Sequence, residues 1–219
     1  MRLASTSDPD GGAPPASRLI EVAPERLDGW LERFAETHGG LASQEEERAV
    51  AADGSVVEVE AFDHDPVGLI LVRRGGYAVG RVREGRLVLH KVGTRYVQSR
   101  TAAGGWSQQR YARRRDNQAD ELVVAVADHA ARILIDLASL PDETSEIAVG
   151  PPPPGPGLIV GGDRRLVAAV LADRRLGSLR ELPTRSLYDL GDPNRAVLES
   201  AIKRGRAVRI TLKEPGPPA

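Results

Sequence analysis

The chain has 219 residues, of which 41% are hydrophobic and 28% are charged, as in an ordinary folded protein. It contains no cysteine, which excludes disulfides, thiolate-bound zinc, iron–sulfur clusters and a cysteine nucleophile. No apolar run is long enough to cross a bilayer, and the N-terminal segment lacks a signal-peptide core. We therefore expect a cytoplasmic protein with no membrane partner.

The net charge of −1 is unevenly distributed along the chain. Residues 85–115 contain no Asp or Glu and carry eight positive charges, which leaves −9 for the remainder by difference. These residues are Arg86, Lys91, Arg95, Arg100, Arg110, Arg113, Arg114 and Arg115. A positive field of this size is typical of a phosphate-binding surface if the side chains share a face. The alternative is an arginine-rich composition, typical of a GC-rich genome, with no binding role.

The first predicted elements, in chain order, are a strand over 18–24 and a helix over 24–38. We expect residues 1–17 to be disordered, because they are small, polar and rich in Pro and Gly. Gly39-Gly40 ends the helix. One face of this helix is apolar and should pack in the core, through Leu27, Trp30, Leu31 and Phe34.

An antiparallel β region and a long helix follow. Strands are predicted at 56–62, 67–73, 77–82 and 86–92, with turns at Gly75-Gly76 and Glu84-Gly85. The loop 93–107 leads into a helix over 108–137 that contains no Gly or Pro. Apolar residues on one face of this helix are Leu122, Val126, Ala130, Ile133 and Leu137.

The last third alternates between strands and helices. The proline-rich residues 150–157 predict an extended loop. A buried strand (157–162), a helix beginning at Asp163 and extending through 176, a short run SLYDL, a helix near 193–204 and a terminal strand RAVRITL follow. The pattern predicts an α/β fold, a mixed β-sheet flanked by helices. We expect one domain over 18–213, with an N-terminal strand–helix–strand part (18–65), a core (66–213) and a loose tail (214–219).

Common catalytic signatures are missing from the sequence. The four histidines have no metal-ligand spacing, so no metal site is predicted, although His90 could line the basic surface. There is no GxSxG elbow, no P-loop and no GxGxxG motif after a strand. The sequence GGDRR (161–165) joins a strand to a helix, where backbone amides could hold an anion. Glycine is common in any such connection, so this signal is weak alone.

The segment TAAGGWSQQRYARRRDNQ (101–118) has a different character. Gly104 and Gly105 free the backbone for conformations closed to other residues. Ser107 is a predicted helix N-cap, which places Gln108 and Gln109 in the first turn. On the helix, Arg110, Arg113 and Arg114 share a face and Arg115 is turned aside. This pattern fits a flexible tip that reaches a nucleic-acid end, with arginines on phosphates. An ordinary surface loop and a solvated helix face fit it equally well.

This segment resembles two related families. One comprises the class I translation release factors of eukaryotes and archaea, whose middle domain carries Gly-Gly-Gln, a Ser and an arginine-bearing helix. The other, which is more similar, is the Vms-like release factor family of peptidyl-tRNA hydrolases, in its actinobacterial branch. Its Gly-x-x-Gln pattern is met by Gly105, Trp106, Ser107 and Gln108. The sequences GGYAVG, KVGTRYVQSR and GLIVGGDRR add to a likeness that spans roughly residues 18–213.

The resemblance implies an enzyme of ribosome quality control that hydrolyses peptidyl-tRNA. Its fold would be that of the ribonuclease-H-like middle domain of release factors. Gln108 would position water, with Gly104, Gly105 and Ser107 in the catalytic loop. Because an amide does not titrate near neutral pH, Gln108 cannot act as a general base. Trp106 stands where Gly-Gly-Gln has its glutamine, so the motifs do not align residue for residue, and Gln109 stays an alternative.

The implied partners are peptidyl-tRNA and the peptidyl-transferase centre of the large ribosomal subunit. The protein would act as a monomer without a cofactor. Predicted RNA contacts are Lys91, Arg95, Arg100, Arg110, Arg113, Arg114 and Arg115. Two other functions stay open: an endonuclease that cuts the tRNA 3′ end, and a ribosome- or tRNA-binding module without activity. A nuclease would usually need metal-binding carboxylates or a histidine pair, and the loop has neither.

Overall fold

The computed structural model describes residues 17–94, 107–134, 137 and 155–215, and for 107–117 it describes the backbone alone. The strands in these residues are β1 (Ser17–Val22), β2 (Leu41–Gln44), β3 (Arg48–Ala51), β4 (Val56–Glu60), β5 (Val67–Arg73), β6 (Gly76–Arg83), β7 (Arg86–Thr94), β8 (Gly157–Gly162), β9 (Thr184–Leu187) and β10 (Val208–Lys213). The helices are α1 (Leu27–Thr37), α2 (Ser107–Leu134), α3 (Arg164–Leu171) and α4 (Arg195–Arg206), with 3-10 helices at Pro24–Arg26 and Arg174–Glu181. Within these described ranges, no helix is long and apolar enough to cross a membrane.

The described residues form two compact units, and the first consists of 17–61 with 207–215. Its antiparallel sheet has the strand order β1-β10-β4-β3-β2. The apolar face of α1 packs on this sheet as predicted: Phe34 is buried, and Trp30 stacks on it with ring centroids 5.8 Å apart. The helix gives way to Gly39 and Gly40, whose φ angles of 80° and 99° favour glycine.

The first sheet differs from the sequence expectation in two respects. Strands β2 and β3 were not predicted, because each has only four residues and β2 is exposed throughout. The terminal strand β10 was grouped with the core at 66–213, but it pairs with β1 and β4 in the first unit. Such long-range pairing leaves no local signal in the sequence.

The second unit, residues 62–206, confirms the predicted mixed sheet flanked by helices. Its strand order is β7-β6-β5-β8-β9; β5, β6 and β7 form the predicted antiparallel meander, and β5, β8 and β9 are parallel. Helices α2 and α3 and the second 3-10 helix cover one face of the sheet. Helix α4 covers the other face, where Leu198, Ala201 and Ile202 are buried. Every side chain of β5 except Arg73 is buried, because the strand is central and covered on both faces.

The boundaries of the predicted helices are mostly close to those observed. Asp163 caps α3 as expected: its Oδ1 accepts hydrogen bonds from the amides of Arg165 (2.9 Å) and Leu166 (3.2 Å). The helix ends at Leu171 instead of continuing to 176, since Asp173 caps the 3-10 helix that follows. The segment 1–17, apart from Ser17, most of the loop 150–157 and tail residues 216–219 lie outside the described residues.

Candidate nucleic-acid interface

Four strands of the second sheet, β5, β7, β8 and β9, end at the same edge. Strands β5 and β8 are parallel, and β7 runs in the same direction because β6 is antiparallel to both of its neighbours. The last residue of β7 is Thr94, and the chain is described again from Ser107, where α2 begins. Ligands of open α/β sheets bind outside the carboxyl ends of the strands, so a binding site is expected at this edge.

An aromatic pair joins the end of β7 to α2. The Tyr77 ring lies so close to Gly93 that a Cβ atom there would be 2.4 Å from its Cε1 atom. The same ring stacks on His129 of α2, with centroids 5.5 Å apart. The strand before segment 95–106 and the helix after it are therefore held together through Tyr77, and a side chain at position 93 would displace that ring.

His129 lies in a positively charged environment. Partial burial lowers the pKa of its imidazole, and the charges of Arg132 and Lys91 lower this pKa further. Arg132 Nη2 donates to His129 Nδ1 over 2.9 Å, which is a contact with neutral imidazole. Lys91, predicted to bind RNA, is thus an exposed cation on the α2 side of the sheet.

His90 lies on the other side of β7, because neighbouring strand residues alternate between faces. Its Nε2 accepts a hydrogen bond from Arg195 Nη1 of α4 over 2.9 Å. Arg195 also pairs with Glu199 one turn along that helix, at 2.6 Å. His90 therefore faces α4, away from Lys91.

Most of the predicted catalytic and RNA-binding side chains lie outside the part of the chain that the structure describes. Gly104, Gly105, Trp106, Arg95 and Arg100 lie outside the described residues. Of α2, only the backbone is described for Ser107, Gln108, Gln109, Arg110, Arg113, Arg114 and Arg115. The helix begins at Ser107, which puts both glutamines in its first turn.

The helical register separates two sides of α2. The side that packs on the sheet is marked by the buried residues Leu122, Val126 and Ala130. By the 3.6-residue period, positions 110, 113 and 114 lie together on the opposite side of the helix. Binding of RNA by the arginines at these positions stays a prediction.

The sequence analysis missed a cleft at the carboxyl edge of the sheet. It has a volume of about 1360 Å³ and contains four arginines, and we call it the arginine cleft. Its lining residues are Arg73, Arg74, Gly75, Thr94, Gly162, Asp163, Arg164, Arg165 and Asp192. The signal that could have revealed it is an Arg-Arg pair at the carboxyl end of each of two buried strands: Arg73-Arg74 at the end of β5, and Arg164-Arg165 one residue after β8.

Parallel pairing of those two strands brings the Arg-Arg pairs together. Val72 is aligned with Gly162, and the Asp163 amide donates to Val72 O over 2.7 Å. Gly162 has a φ of 96°, and a Cβ atom there would be 2.2 Å from Val72 O. Only glycine allows this close approach of the two chains. The close approach fixes where each arginine pair leaves the sheet.

Comparison with known sequences identifies the family. The sequence pattern of the Actinobacteria/chloroflexi VLRF1 release factors matches residues 65–211, about two thirds of the chain. The chain belongs to this family. The predicted resemblance to the actinobacterial branch is thereby confirmed, and the release-factor match includes segment 95–106, all of α2 and the arginine cleft.

Archaeal release factors are also similar to this VLRF1 release factor family member. Peptide chain release factor subunit 1 of Thermococcus onnurineus is 33% identical over 99 residues, which are 45% of this chain and 24% of that protein. The Pyrococcus abyssi protein of the same description gives the same values. The aligned region thus spans about a quarter of each relative. The crystal structure of archaeal translation termination factor aRF1 has a TM-score of 0.34 and 15% identity, covering 80% of this chain and 61% of that one.

Proposed function

We propose that this protein is a peptidyl-tRNA hydrolase that releases nascent chains from stalled ribosomal complexes. The observation that carries the proposal is membership of a release-factor family whose match includes the Gly-x-x-Gln segment, residues 105–108. The fold supports it. Strand β7 ends at Thr94, before segment 95–106, and α2 begins at Ser107, after it. Because Tyr77 stacks on His129 of α2 and contacts Gly93 of β7, both ends of this segment are attached to the second unit.

The reaction is hydrolysis of the ester between the peptide and the ribose of the terminal tRNA nucleotide. The oxygen of water attacks the carbonyl carbon, and the bond from that carbon to the ribose oxygen breaks. One proton of the water ends on the ribose hydroxyl, and the peptide leaves as a carboxylic acid that ionises. The Gln108 amide orients the water and donates to the developing oxyanion. Substrate and ribosomal groups relay the protons, since an amide cannot.

Gly104 and Gly105 give the segment the backbone freedom to enter the peptidyl-transferase centre, and Ser107 starts the helix behind it. In this proposal, exposed cations on and beside α2 hold RNA phosphates. Lys91 is exposed beside α2, and the backbone of α2 keeps positions 110, 113 and 114 on one side. Trp106 would stack on a base or pack within the loop. The partners in this proposal are the large ribosomal subunit and peptidyl-tRNA.

The role of Gln108 is tested by release of labelled peptide from stalled ribosomes. We expect Gln108→Ala to slow release by about a hundredfold, as loss of one oxyanion donor does in other hydrolases. Gln109→Ala, one position away in the same helical turn, is the matched control and should keep most of the rate. Release by Gln108→Ala at the wild-type rate would show that the mechanism is wrong. If only Gln109→Ala lost peptide release, the catalytic amide would be that of Gln109 instead of Gln108.

The arginine positions on α2 make a second prediction. Replacing Arg110, Arg113 and Arg114 with Gln should weaken binding to ribosomes and flatten its salt dependence, because each phosphate contact releases counterions. The measurement is the binding constant across a salt series, with Arg174→Gln in the second 3-10 helix as the control. An unchanged slope would remove the phosphate role of these arginines.

A further inference from the structure

The arginine cleft has more positive charge than its own residues neutralise. Four arginines face two carboxylates. Asp163 is occupied in capping α3, and Asp192 lies 3.7 Å from Arg73 Nε. The side chains of Arg74 and Arg165 are exposed and make no ion pair or hydrogen bond within the described part of the chain. Like charges at this density repel one another, so a bound anion would relieve the repulsion.

We propose that the arginine cleft binds the sugar–phosphate backbone of RNA. This is a second RNA contact, distinct from segment 95–106 and from the arginine positions of α2. The inference rests on the proposed function only in the choice of RNA as the phosphate bearer. Charge, position and shape of the cleft carry the rest.

Two of the four arginines are held in place before any ligand binds. Arg73 Nη1 donates to Leu190 O over 2.9 Å. The Arg164 guanidinium lies over the Tyr188 ring, with its Cζ atom 4.6 Å from the ring centroid. Fixing these side chains lowers the conformational entropy that phosphate binding would otherwise cost. Arg74 and Arg165 are the free donors beside them.

The side chains, and not the helix amides, hold the anion in this proposal. The sequence analysis considered the backbone amides at GGDRR for this role, but the Asp163 carboxylate already accepts from the Arg165 and Leu166 amides. Guanidinium groups instead offer paired N–H donors that match two phosphate oxygens. The cleft is therefore an arginine site built at a capped helix.

The size and place of the cleft favour a polymer backbone over a small ligand. Its volume of about 1360 Å³ exceeds the roughly 300–1,000 Å³ of pockets that enclose small ligands. Thr94, the residue before segment 95–106, lines the cleft. An RNA bound here would lie at the base of the segment that carries Gly104, Gly105 and Gln108, and would fix its approach to the ester.

The test compares two double variants of the full chain. Arg74→Gln with Arg165→Gln removes the two unpaired cleft arginines. Arg174→Gln with Arg180→Gln removes equal charge from exposed positions on the 3-10 helix before β9, at the opposite edge of the sheet. The probe is an RNA hairpin with a single-stranded CCA end, measured by fluorescence anisotropy across a salt series.

We expect the cleft variant to bind the hairpin at least tenfold more weakly. We also expect it to lower the slope of log affinity against log salt by about 1.5. The control pair should change neither. Equal effects of the two pairs would mean that only total charge matters, and no effect of the cleft pair would mean that RNA does not bind there. Either result overturns the inference.

Competition and release assays separate the remaining outcomes. In a contrary outcome, inorganic phosphate or a mononucleotide would bind the wild-type cleft at micromolar concentrations while the cleft variant kept the wild-type affinity for the hairpin. The site would then belong to a small ligand, and the inference would be wrong. If the cleft pair lost hairpin binding but the wild-type protein released no peptide, the inference would stand and the hydrolase proposal would fail. Gln108→Ala should bind the hairpin as the wild type does.

Discussion

At the scale of single residues, His129 links the interface to pH. Its pKa is lowered by burial first and by Arg132 and Lys91 next. The folded protein therefore binds this proton less readily than the unfolded chain, whose histidine keeps a pKa near 6.5. Folding stability should fall as the pH drops below about 6.5, until the pH has passed the lowered pKa.

The corresponding prediction concerns His129→Phe, which keeps a ring against Tyr77 but does not titrate. The variant should lose less free energy of unfolding than the wild type when the pH is lowered from 7.5 to 5, measured by urea denaturation at each pH. His38→Phe, in the first unit, tests whether any histidine has this effect. If the free energy of unfolding of the wild type and of His129→Phe depended on pH in the same way, the effect of His129 on stability would be contradicted.

Residue patterns in the sequence predicted features that neighbouring residues form, but not features formed by residues far apart in the chain. The stripe containing Trp30 and Phe34 was predicted from helical spacing, and the Asp163 cap from its position before an apolar run. The arginine cleft was missed because Arg73-Arg74 and Arg164-Arg165 are about ninety residues apart in the sequence. Only the parallel pairing of β5 with β8 brings them together, and no single window of sequence contains that information.

At the scale of elements, Asp163 at the N-terminus of α3 has two opposing effects: it stabilises the helix, and it weakens the attraction of the cleft for anions. Asp163 caps the helix but also places a negative charge among the cleft arginines. Asp163→Ser keeps a capping oxygen and removes the charge, so stability should change little while hairpin affinity rises about threefold.

Asp163→Ala separates the two contributions, because it removes the charge and the cap together. It should lose about 1 kcal/mol of unfolding free energy and gain the same RNA affinity as Asp163→Ser. Thermal melts and anisotropy titrations give the two quantities. A lower RNA affinity in Asp163→Ser would contradict the proposed cleft.

Elements with strong local signals were predicted well. The turns at Gly75 and Gly85 set the boundaries of β5, β6 and β7 to within two residues. Apolar spacing identified α2, although the helix ends at Leu134 and Leu137 follows in a turn. The strands β2 and β3 lacked a comparable pattern, since each has only four residues and pairing with neighbouring strands contributes much of what holds it in the sheet.

At the scale of the whole molecule, the sequence predicted the class of fold and the family, but not the division into two sheets. That division depends on β10, which lies about 150 residues after its neighbour β4 in the chain. The catalytic assignment depends on a different kind of information. Gln108 was singled out by resemblance, because an uncharged amide leaves no signature in charge or pKa that a sequence could reveal.

The most direct test of hydrolysis is release from stalled ribosomes in water enriched in oxygen-18. If the wild-type protein hydrolyses the ester, mass spectrometry should find one heavy oxygen in the carboxyl group of the released peptide and a tRNA with an intact 3′ end. A released peptide that still carries a nucleotide, with no heavy oxygen in that carboxyl group and a shortened tRNA, would contradict the account and identify a nuclease.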